Sequence, residues 1–448
     1  MKIKVNFNNI TGKIKPMHGI GQPPFLGISN SMMHYLGEAG IPYSRLHDVG
    51  GAYGGGRFVD IPNIFRNFDA DENDPASYDF TFTDWLIGEL KKQNCEPFYR
   101  LGVTIENNWD MKAYHIYPPK DFAKWARICE HIIRHYNEGW ADGFYYDITY
   151  WEIWNEPEGG RNKCMGNWLG TPEQYYELYE VTANHLKHCF GNKIKVGGFA
   201  SFGISAIAMA ADPELNGFEE PQDDREYRMQ YIHNFLKWIS SEEHHASLDF
   251  FSWHGYDSIQ EMADKAVYCK RLLEKYGYGH VESILNEWNT TPSIMERGTL
   301  KAAATSMAFM IKMQNIGVVD MLNFYDARIG AGSYAGMFNP DTLQPYLTYY
   351  GFKAFNEAYK LGNAVEATVD DERVYVCAAT DGDKKVLLIS YLFAFMGLNH
   401  IEFEIEGADL SNAQVYAIDE SHMYTLTDIN LENGKISLRQ SGILVIRF

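Results

Sequence analysis

Strand-like and helix-like segments alternate along the chain from about residue 14 to residue 360, and this order constrains the fold more than any other feature. Eight short segments are rich in β-branched and aromatic residues: IKPMH, PYSRLHD, EPFYRLG, ITYWEIWNE, KIKVGGFAS, LDFFSWHGY, VESILNEWN and VVDMLNFYD. Segments with a helical apolar period separate them, most clearly TFTDWLIGELKKQNC, PKDFAKWARICEHIIRHY, TPEQYYELYEVTANHLKHC and LKAAATSMAFMIKMQNIG. Eight strands, each followed by a helix, are typical of a (β/α)₈ TIM barrel.

An open, doubly wound sheet is the alternative α/β arrangement. Such a sheet normally carries a glycine-rich turn after its first strand, whereas this chain has MHGIGQPP there. The third helical segment opens with Thr171 and Pro172, a capping residue followed by proline at the first helical position. We therefore expect an α/β fold in which residues 14–360 form the barrel.

After about residue 362 the pattern changes to short strands separated by Gly, Asp and Asn. These strands are EATVD, RVYVCAAT, KKVLLISYLF, HIEFEIEGA, AQVYAID, KISL and GILVIRF. DGDKK and ENGK have the composition of hairpin turns. The pattern predicts a C-terminal β-sandwich over residues 361–448. Residues 1–13 alternate in the same way and are compatible with an additional strand of that domain.

Composition restricts the partners of the protein. The 448 residues carry a formal net charge of −20, which argues against nucleic acid or an anionic membrane as a partner. The sequence shows neither an N-terminal signal-peptide core nor the roughly 20 consecutive apolar residues of a membrane span. Its six cysteines are widely spaced and indicate reduced thiols. We expect a cytoplasmic protein, and the sequence leaves open whether it forms a homo-oligomer.

Two glutamates stand at the ends of predicted barrel strands. Glu156 ends the fourth strand in YWEIWNEPEGG, and Glu287 ends the seventh in ESILNEWNT. Strand ends of one barrel open at the same mouth, where active sites lie. Cleavage of a glycosidic bond needs two such carboxylates: one protonates the leaving oxygen, and the other attacks the anomeric carbon or activates water. Either Glu alone is equally compatible with a structural ion pair, but the two together favour catalysis without a metal or cofactor.

The motifs WNEP and NEWN resemble those of clan A glycoside hydrolases. Within the clan, YWEIWNEPEGG together with ILNEWN most resembles family 39, the β-xylosidase and α-L-iduronidase family. The resemblance implies that Glu156 is the acid/base, that Glu287 is the nucleophile and that Asn155 binds the sugar 2-hydroxyl. One departure is Asn286 before Glu287, where family members often have threonine.

Polar residues at two other strand ends are candidates for the same site. SWHGYDS places His254 and Tyr256 at the end of the sixth strand, where alternation directs both toward one side. The resemblance implies that Tyr256 can hydrogen-bond the nucleophile and that His254 can contact sugar hydroxyls. The alternative for His254 is a structural role, in which its ring nitrogens make their hydrogen bonds within the protein at the end of the sheet.

SRLHDVG contributes Arg45, His47 and Asp48 from the second strand as candidate substrate-binding residues. Arg45 can keep Glu287 ionised, because a nearby cation lowers the pKa of a carboxylate. A plain structural ion pair is an equal alternative for this arginine.

Aromatic residues near the strand ends are candidate sugar platforms. NFYDAR on the eighth strand offers Tyr325, Asp326 and Arg328 as a pocket floor or a stacking wall. Trp288 is a further candidate platform, whereas core packing is favoured for Trp154.

The sequence thus predicts a retaining, exo-acting glycosidase whose substrate is an oligosaccharide or other glycoside, with β-xylosides or arabinosides first by resemblance. A transglycosylase and a non-catalytic carbohydrate-binding relative remain alternatives. A uronide substrate would need a basic pocket, for which Arg57, Arg161 and Arg328 are sources. We expect long loops at about 49–80, 103–118, 158–170 and 202–225 to surround the barrel mouth. The first includes GGAYGGGR, which lacks the ending of a phosphate-binding loop.

Overall fold

The structure is a computed structural model, and it describes residues 1–25, 32–49, 59–104, 116–159, 167–290, 293–329, 334, 336–393, 397–431 and 433–448. Strand β1 (Lys2–Lys13) comes first in the chain and lies outside the barrel. Eight parallel strands close into the barrel in chain order: β2 (Gly19–Gly21), β3 (Tyr43–Leu46), β4 (Glu96–Leu101), β5 (Tyr150–Ile153), β6 (Lys195–Ser201), β7 (Phe250–Gly255), β8 (Glu282–Trp288) and β9 (Met321–Phe324). The predicted TIM barrel is confirmed.

Helices between the strands cover the barrel. They are α1 (His34–Ala39), α2 (Ile61–Ile64), α3 (Thr81–Lys92), α4 (Phe122–Glu138), α5 (Pro172–Phe190), α6 (Ala206–Ala211), α7 (Asp224–Ser240), α8 (Ile259–Lys275), α9 (Leu300–Ile316) and α10 (Leu347–Leu361). Short 3₁₀ turns occur at Pro75–Ser77, Gly191–Lys193, Ile294–Glu296 and Leu410–Asn412. The four clearest helix predictions are confirmed. The predicted cap of α5 is a complete capping box, in which Thr171 accepts from the Gln174 amide and Gln174 bonds back.

The first barrel strand lies later in the chain than its predicted position at residues 14–18. β2 consists of Gly19–Gly21 and closes the barrel by pairing with β9. A Cβ atom at Gly19 would lie 2.6 Å from the carbonyl oxygen of Leu322, so only glycine fits this close approach. The apolar composition of residues 14–18 reflects burial: Ile14 and Met17 lie in the core without belonging to a strand.

Eight C-terminal strands join β1 in one curled nine-stranded mixed sheet. The eight are β10 (Asn363–Val369), β11 (Val374–Thr380), β12 (Lys385–Tyr391), β13 (Asn399–Glu406), β14 (Gln414–Ile418), β15 (Met423–Leu426), β16 (Lys435–Leu438) and β17 (Gly442–Arg447). The hydrogen-bonded order is β15-β14-β17-β12-β11-β10-β1-β13-β16. Strand β1 is therefore internal, antiparallel to β10 and parallel to β13.

Of the two predicted hairpin turns, one is confirmed. DGDKK joins the antiparallel strands β11 and β12, with Thr380 opposite Lys385. The hairpin at ENGK was wrong, because β16 pairs with β13, while the preceding strand β15 pairs with β14. Strand β15, partly exposed at the edge of the sheet, was not among the predicted strands.

Two apolar cores meet the two faces of the C-terminal sheet. Alternate residues such as Cys377, Leu388 and Val445 join the large core that includes α9 and α10. The intervening residues face a second core, which includes Leu387 and Val5 from β1. The central strands are apolar on both faces because each face is buried. This packing fixes the sheet against the barrel helices.

The carboxyl ends of the barrel strands carry the candidate residues. Parts of three loops expected around this mouth, residues 50–58, 105–115 and 160–166, lie outside the described residues. In the described part of the chain, no helix combines the length and apolar character that a membrane crossing requires. Five described cysteines are free thiols, at positions 95, 129, 189, 269 and 377.

Candidate active site

Glu156 follows a sharp change of backbone direction at the end of β5. Trp154 and Glu156 have φ values of 72° and 45°, in the left-handed region that residues other than glycine rarely adopt. The Glu156 amide donates to the Phe199 carbonyl at 3.2 Å, next to the end of β6. Left-handed backbone at such positions costs about 1–3 kcal/mol and concentrates at functional sites. The turn brings Glu156 to the barrel mouth, where 13% of its side chain is exposed.

Glu287 lies in β8, and two donors hold its carboxylate. Nη1 of Arg45 donates to Oε1 at 2.7 Å, and the Tyr256 hydroxyl donates to Oε2 at 2.6 Å. The predicted contacts of Arg45 and Tyr256 with this glutamate are both present. The side chain of Glu287 is 7% exposed and that of Arg45 only 1%. The carboxylate thus reaches the pocket while its cation lies beneath it.

His254 lies between the two glutamates. Its Nδ1 is 2.6 Å from Oε1 of Glu156 and 3.5 Å from Oε2 of Glu287. One oxygen of each glutamate and one ring nitrogen of His254 all lie within 4.8 Å of one another. The two carboxyl groups therefore face each other across a gap that one sugar carbon and its leaving oxygen can occupy.

A buried ion-pair network under the site connects both glutamates. Nε of Arg45 donates to Glu152 at 2.8 Å, and its Nη2 donates to Oδ1 of Asn155 at 2.7 Å. Glu152 also accepts from Asn286 at 2.5 Å and from Ser252 at 2.6 Å. Asn155 and Asn286 each directly precede a candidate catalytic glutamate. Glu152 and Arg45 therefore fix the backbone on both sides of the pocket.

The neighbours of the two glutamates affect their protonation differently. Burial raises the pKa of Glu156 to about 8, an effect that Arg45 opposes and Asp48 reinforces. Burial also raises the pKa of Glu287, but the charge of Arg45 and the Tyr256 hydrogen bond oppose this. Burial lowers the pKa of His254 to about 4, so the ring is neutral at neutral pH. Glu287, with two donors on its carboxylate, ionises before Glu156.

His47 and Asp48 follow β3, as predicted, and belong to a polar network beside the glutamates. Nε of Arg100 donates to Nδ1 of His47 at 3.1 Å. Asp48 accepts from the Tyr325 hydroxyl at 3.1 Å, and Gln22 donates to that hydroxyl at 2.6 Å. Tyr325, which follows β9, is thus tied to residues that follow the neighbouring strands β2 and β3. The substrate contacts of His47, Asp48 and Tyr325 stay predictions.

The structure does not support Trp288 as a sugar platform. Its side chain is 0% exposed, and its ring packs on Phe309 at 4.5 Å and Phe324 at 5.1 Å between centroids. These contacts occupy the ring faces with core residues. Trp154 packs 5.0 Å from Trp168 and lies in the core, as expected.

Sequence reasoning missed Glu152 as a site residue, although its position gave a signal. It is a glutamate inside the apolar strand YWEI, and such a charge needs a buried partner. Of the three arginines suggested for a uronide pocket, Arg57 and Arg161 lie outside the described residues. Nε of Arg328 lies 3.1 Å from Oδ2 of Asp326, so its charge is paired within the protein.

Among the described residues, two clusters have the donor types of a metal site. One consists of Glu156, His254 and Glu287 themselves, and their mutual hydrogen bonds and the Arg45 ion pair account for it without a metal. The other consists of Glu130, His185 and Cys189 on α4 and α5. There, Glu130 is bonded to His185 and to Arg134 at 2.6 and 2.7 Å.

A barrel with paired glutamates on its fourth and seventh strands is the expected architecture of the family that the motifs resemble. The sequence model of the glycosyl hydrolases family 39 matches residues 37–353. The chain belongs to this family. Membership in family 39 makes the protein a glycoside hydrolase, and its substrates are glycosides.

Relatives agree with the assignment to family 39. A β-xylosidase from Caldicellulosiruptor saccharolyticus is 23% identical over 380 residues, which are 79% of this chain and 69% of that protein. A glucosidase structure from Croceicoccus marinus has a TM-score of 0.76 at 21% identity, covering 100% of this chain and 98% of that one. A GH39 β-xylosidase structure from Caulobacter crescentus has a TM-score of 0.67 at 16% identity, covering 100% and 99%. The structural similarity shows a shared fold.

Proposed function

We propose that this family 39 protein is a retaining, exo-acting glycosidase in which Glu287 is the nucleophile and Glu156 the acid/base. The observation that carries the proposal is the pair of facing carboxyl groups, with an oxygen of each within 4.8 Å of the other. Retaining enzymes place these groups about 5–5.5 Å apart, whereas inverting enzymes leave about 6.5–9.5 Å for a water molecule. The short gap favours direct attack by Glu287.

In the first step, Glu287 attacks the anomeric carbon while Glu156 gives its proton to the glycosidic oxygen. The bond between that carbon and oxygen breaks, the aglycone leaves as an alcohol, and the sugar becomes an ester of Glu287. Glu156 holds the required proton because burial raises its pKa to about 8. Glu287 is the better anion because Arg45 and Tyr256 donate hydrogen bonds to it.

In the second step, Glu156 acts as a base. The ester has removed the negative charge of Glu287, so ionisation of Glu156 is less opposed by its neighbour. Glu156 takes a proton from water, the water oxygen bonds to the anomeric carbon, and Glu287 leaves as a carboxylate. Neutral His254, 2.6 Å from Glu156, fixes the orientation of the acid/base without adding a positive charge.

For the substrate, we propose β-xylosides or related pentosides such as arabinosides. Similarity to the β-xylosidase from Caldicellulosiruptor saccharolyticus supports this choice. Glucosides are the second candidate, because the Croceicoccus marinus structure that this fold matches at a TM-score of 0.76 is a glucosidase. A screen of aryl xylosides, arabinosides and glucosides distinguishes pentosides from glucosides as the substrate. If the protein hydrolyses none of the three, the glycosidase proposal is contradicted for these sugars.

The stereochemistry of hydrolysis tests the mechanism. Proton NMR of the first-formed sugar, recorded before mutarotation, should show the anomeric configuration of the substrate. An inverted product would contradict the assignment of Glu287 as nucleophile. Added acceptor alcohols should compete with water for the same intermediate. The transglycosylase alternative would be favoured if transfer products dominate even when no acceptor is added.

A further inference from the structure

Arg228 lies beside the loop that follows β6, on the Glu156 side of the barrel mouth. Its guanidinium carbon is 4.6 Å from the ring centroid of Phe202, the residue after the end of β6. A Cβ atom at Gly203 would lie only 3.0 Å from Cβ of Arg228. Helix α7 therefore packs directly against this loop and presents Arg228 at the strand ends.

The same loop contacts the segment that carries Glu156. The Glu156 amide is 3.3 Å from the Ala200 carbonyl, within β6. Oε1 of Glu158 accepts from the amides of Phe202 and Gly203 at 2.8 and 3.1 Å. The positive charge of Arg228 contributes to lowering the pKa of Glu156, against the larger effect of burial. Arg228 is thus close enough to the acid/base for their charges to interact.

The charge of Arg228 is only weakly compensated by the protein. Its side chain is 16% exposed, and its Nε is buried without a hydrogen-bond partner among the described residues. Its ion pair is with Asp224, at 3.9 Å from Nη2, and that carboxylate is 43% exposed. Burial raises the pKa of Glu158 to about 8, and its Oε1 is already engaged by the amides of Phe202 and Gly203. A largely buried cation of this kind favours a bound anion.

Other charges near the start of α7 are accounted for. Asp223 pairs with Arg225 at 2.5 Å, and both side chains are more than a third exposed at 40% and 46%. Among the described residues, the ion pair of Arg228 is with Asp224 and not with Asp223. The free donor and the Phe202 ring beneath it lie together next to the acid/base.

We propose that Arg228 and Phe202 form the leaving-group subsite and that this subsite selects an aglycone carrying a carboxylate. The inference rests on the proposed function, because the leaving oxygen is the atom that Glu156 protonates, so the aglycone lies on the Glu156 side. A guanidinium binds a carboxylate through parallel N–H donors, and an adjacent aromatic ring provides apolar contact. Arg228 is a binding residue in this account and takes no part in bond cleavage.

The test compares two glycosides of the sugar that the protein hydrolyses best, one with a 4-carboxyphenyl and one with a 4-carbamoylphenyl aglycone. The ratio of their kcat/KM values is measured for the wild type and for Arg228→Gln, Arg228→Lys and Arg225→Gln. Because each ratio uses the same two leaving groups, intrinsic differences between those groups cancel between variants. Arg225→Gln is the matched control, an exposed arginine on the same helix.

Arg228→Gln should reduce the preference for the carboxylate by about tenfold, as expected for a charge-assisted hydrogen bond. Arg228→Lys should keep part of the preference, and Arg225→Gln should keep all of it. An unchanged ratio in Arg228→Gln, or an equal loss on both substrates, would overturn the proposal. Should Arg228→Gln fail to fold, the wild-type ratio must fall as salt rises, and a salt-independent ratio is then the contradicting result.

A binding measurement separates failure of the subsite from failure of the proposed function. Calorimetric titration with free 4-hydroxybenzoate, 4-hydroxybenzamide and glucuronate needs no hydrolysis. Tighter binding of 4-hydroxybenzoate than of the amide, lost in Arg228→Gln, supports an aromatic acid, and the same pattern with glucuronate supports a uronic acid. Equal or absent binding of all three would overturn the subsite, even where neutral aryl glycosides are hydrolysed.

Discussion

Each half of the candidate active site contains one glutamate, Glu287 or Glu156, and the surroundings of the two differ. Around Glu287, Arg45 and Tyr256 donate at 2.7 and 2.6 Å and favour the carboxylate. Around Glu156, the close contact is His254, whose ring is neutral because burial lowers its pKa to about 4. Burial raises the pKa of both glutamates, and among the described residues only Glu287 accepts hydrogen bonds from an arginine and a tyrosine that offset it. The difference teaches that the neighbours, not the residue type, distinguish the proposed nucleophile from the proposed acid.

Removal of Glu287 should have the largest effect. Without the nucleophile no glycosyl ester forms, so Glu287→Ala should lower kcat by more than about 10⁴-fold, beyond the range of a lost acid or base. Aryl glycosides should be affected as strongly as natural substrates. Azide that fills the vacated space attacks the anomeric carbon directly, and product NMR should show the inverted glycosyl azide. The retained azide from this variant would reverse the two assignments.

Removal of Glu156 should have a smaller effect that depends on the substrate. Glu156→Ala should lose about 10²–10⁴-fold in kcat on oligosaccharides, whose leaving groups need a proton. Activated aryl glycosides should be partly spared in the first step. Azide then attacks the glycosyl ester from the aglycone side, giving the retained glycosyl azide. Near-normal kinetics in both this variant and Glu287→Ala would place the chemistry at another site.

Loss of a charge from the buried network below the site should lower the free energy of unfolding more than loss of a charge from an exposed ion pair on the same barrel. Glu152→Gln removes one of the two carboxylates that pair with Arg45, in a region where the side chains of Glu152 and Arg45 are 0% and 1% exposed. Breaking such a buried pair costs about 3–5 kcal/mol in the free energy of unfolding. The control is Glu282→Gln at the start of β8, because Glu282 pairs with Lys195 at 31% exposure.

That control should lose less than about 1 kcal/mol, as is usual for solvent-exposed pairs. Urea unfolding of both variants measures the difference. Equal losses would mean that the Arg45–Glu152 pair contributes no more than a surface contact, and the comparison between the two glutamates would lose its structural basis.

The pH dependence of kcat/KM should show which neighbour acts on which glutamate. Activity should fall on the basic side as Glu156 loses its proton near its pKa of about 8. On the acidic side it should fall as Glu287 gains one, at a pH above the usual glutamate range because its pKa is raised. The profile of the wild type is therefore a bell.

Two conservative variants should move opposite limbs of this bell. Tyr256→Phe removes a hydrogen bond that lowers the pKa of Glu287, so the acidic limb should move up by about 0.5–1 pH unit. Asp48→Asn removes a charge that raises the pKa of Glu156, so the basic limb should move down by a similar amount. Movement of the same limb in both variants would contradict the division of roles.

Local sequence patterns were sufficient for the barrel and its two glutamates, because strand order alone brings Glu156 and Glu287 to one mouth. The buried network was not predictable in the same way. Glu152 could be recognised as an unusual charge, but its partners come from β3, β7 and β8 and meet only in the closed barrel. The contact of His254 with both glutamates likewise depends on tertiary packing.

The exact bounds of a strand, and the face to which each of its side chains points, were also not predictable from the sequence. The burial of Ile14 and Met17 gives residues 14–18 the composition of a strand, while the true strand contains two glycines. Trp288 follows the proposed nucleophile Glu287, but its ring faces the core side of β8, which alternation alone does not reveal. Strand β1 joins the sheet parallel to β13, a pairing between distant parts of the chain.

Trapping of the covalent intermediate tests the central claim most directly. A 2-deoxy-2-fluoro glycoside with a dinitrophenyl leaving group slows both steps, but the good leaving group keeps the first step fast enough for the glycosyl ester to accumulate. Mass spectrometry of the digested protein should find one added sugar on the peptide that contains Glu287. A sugar on the Glu156 peptide, or turnover to an inverted product with no labelled peptide, would contradict the account.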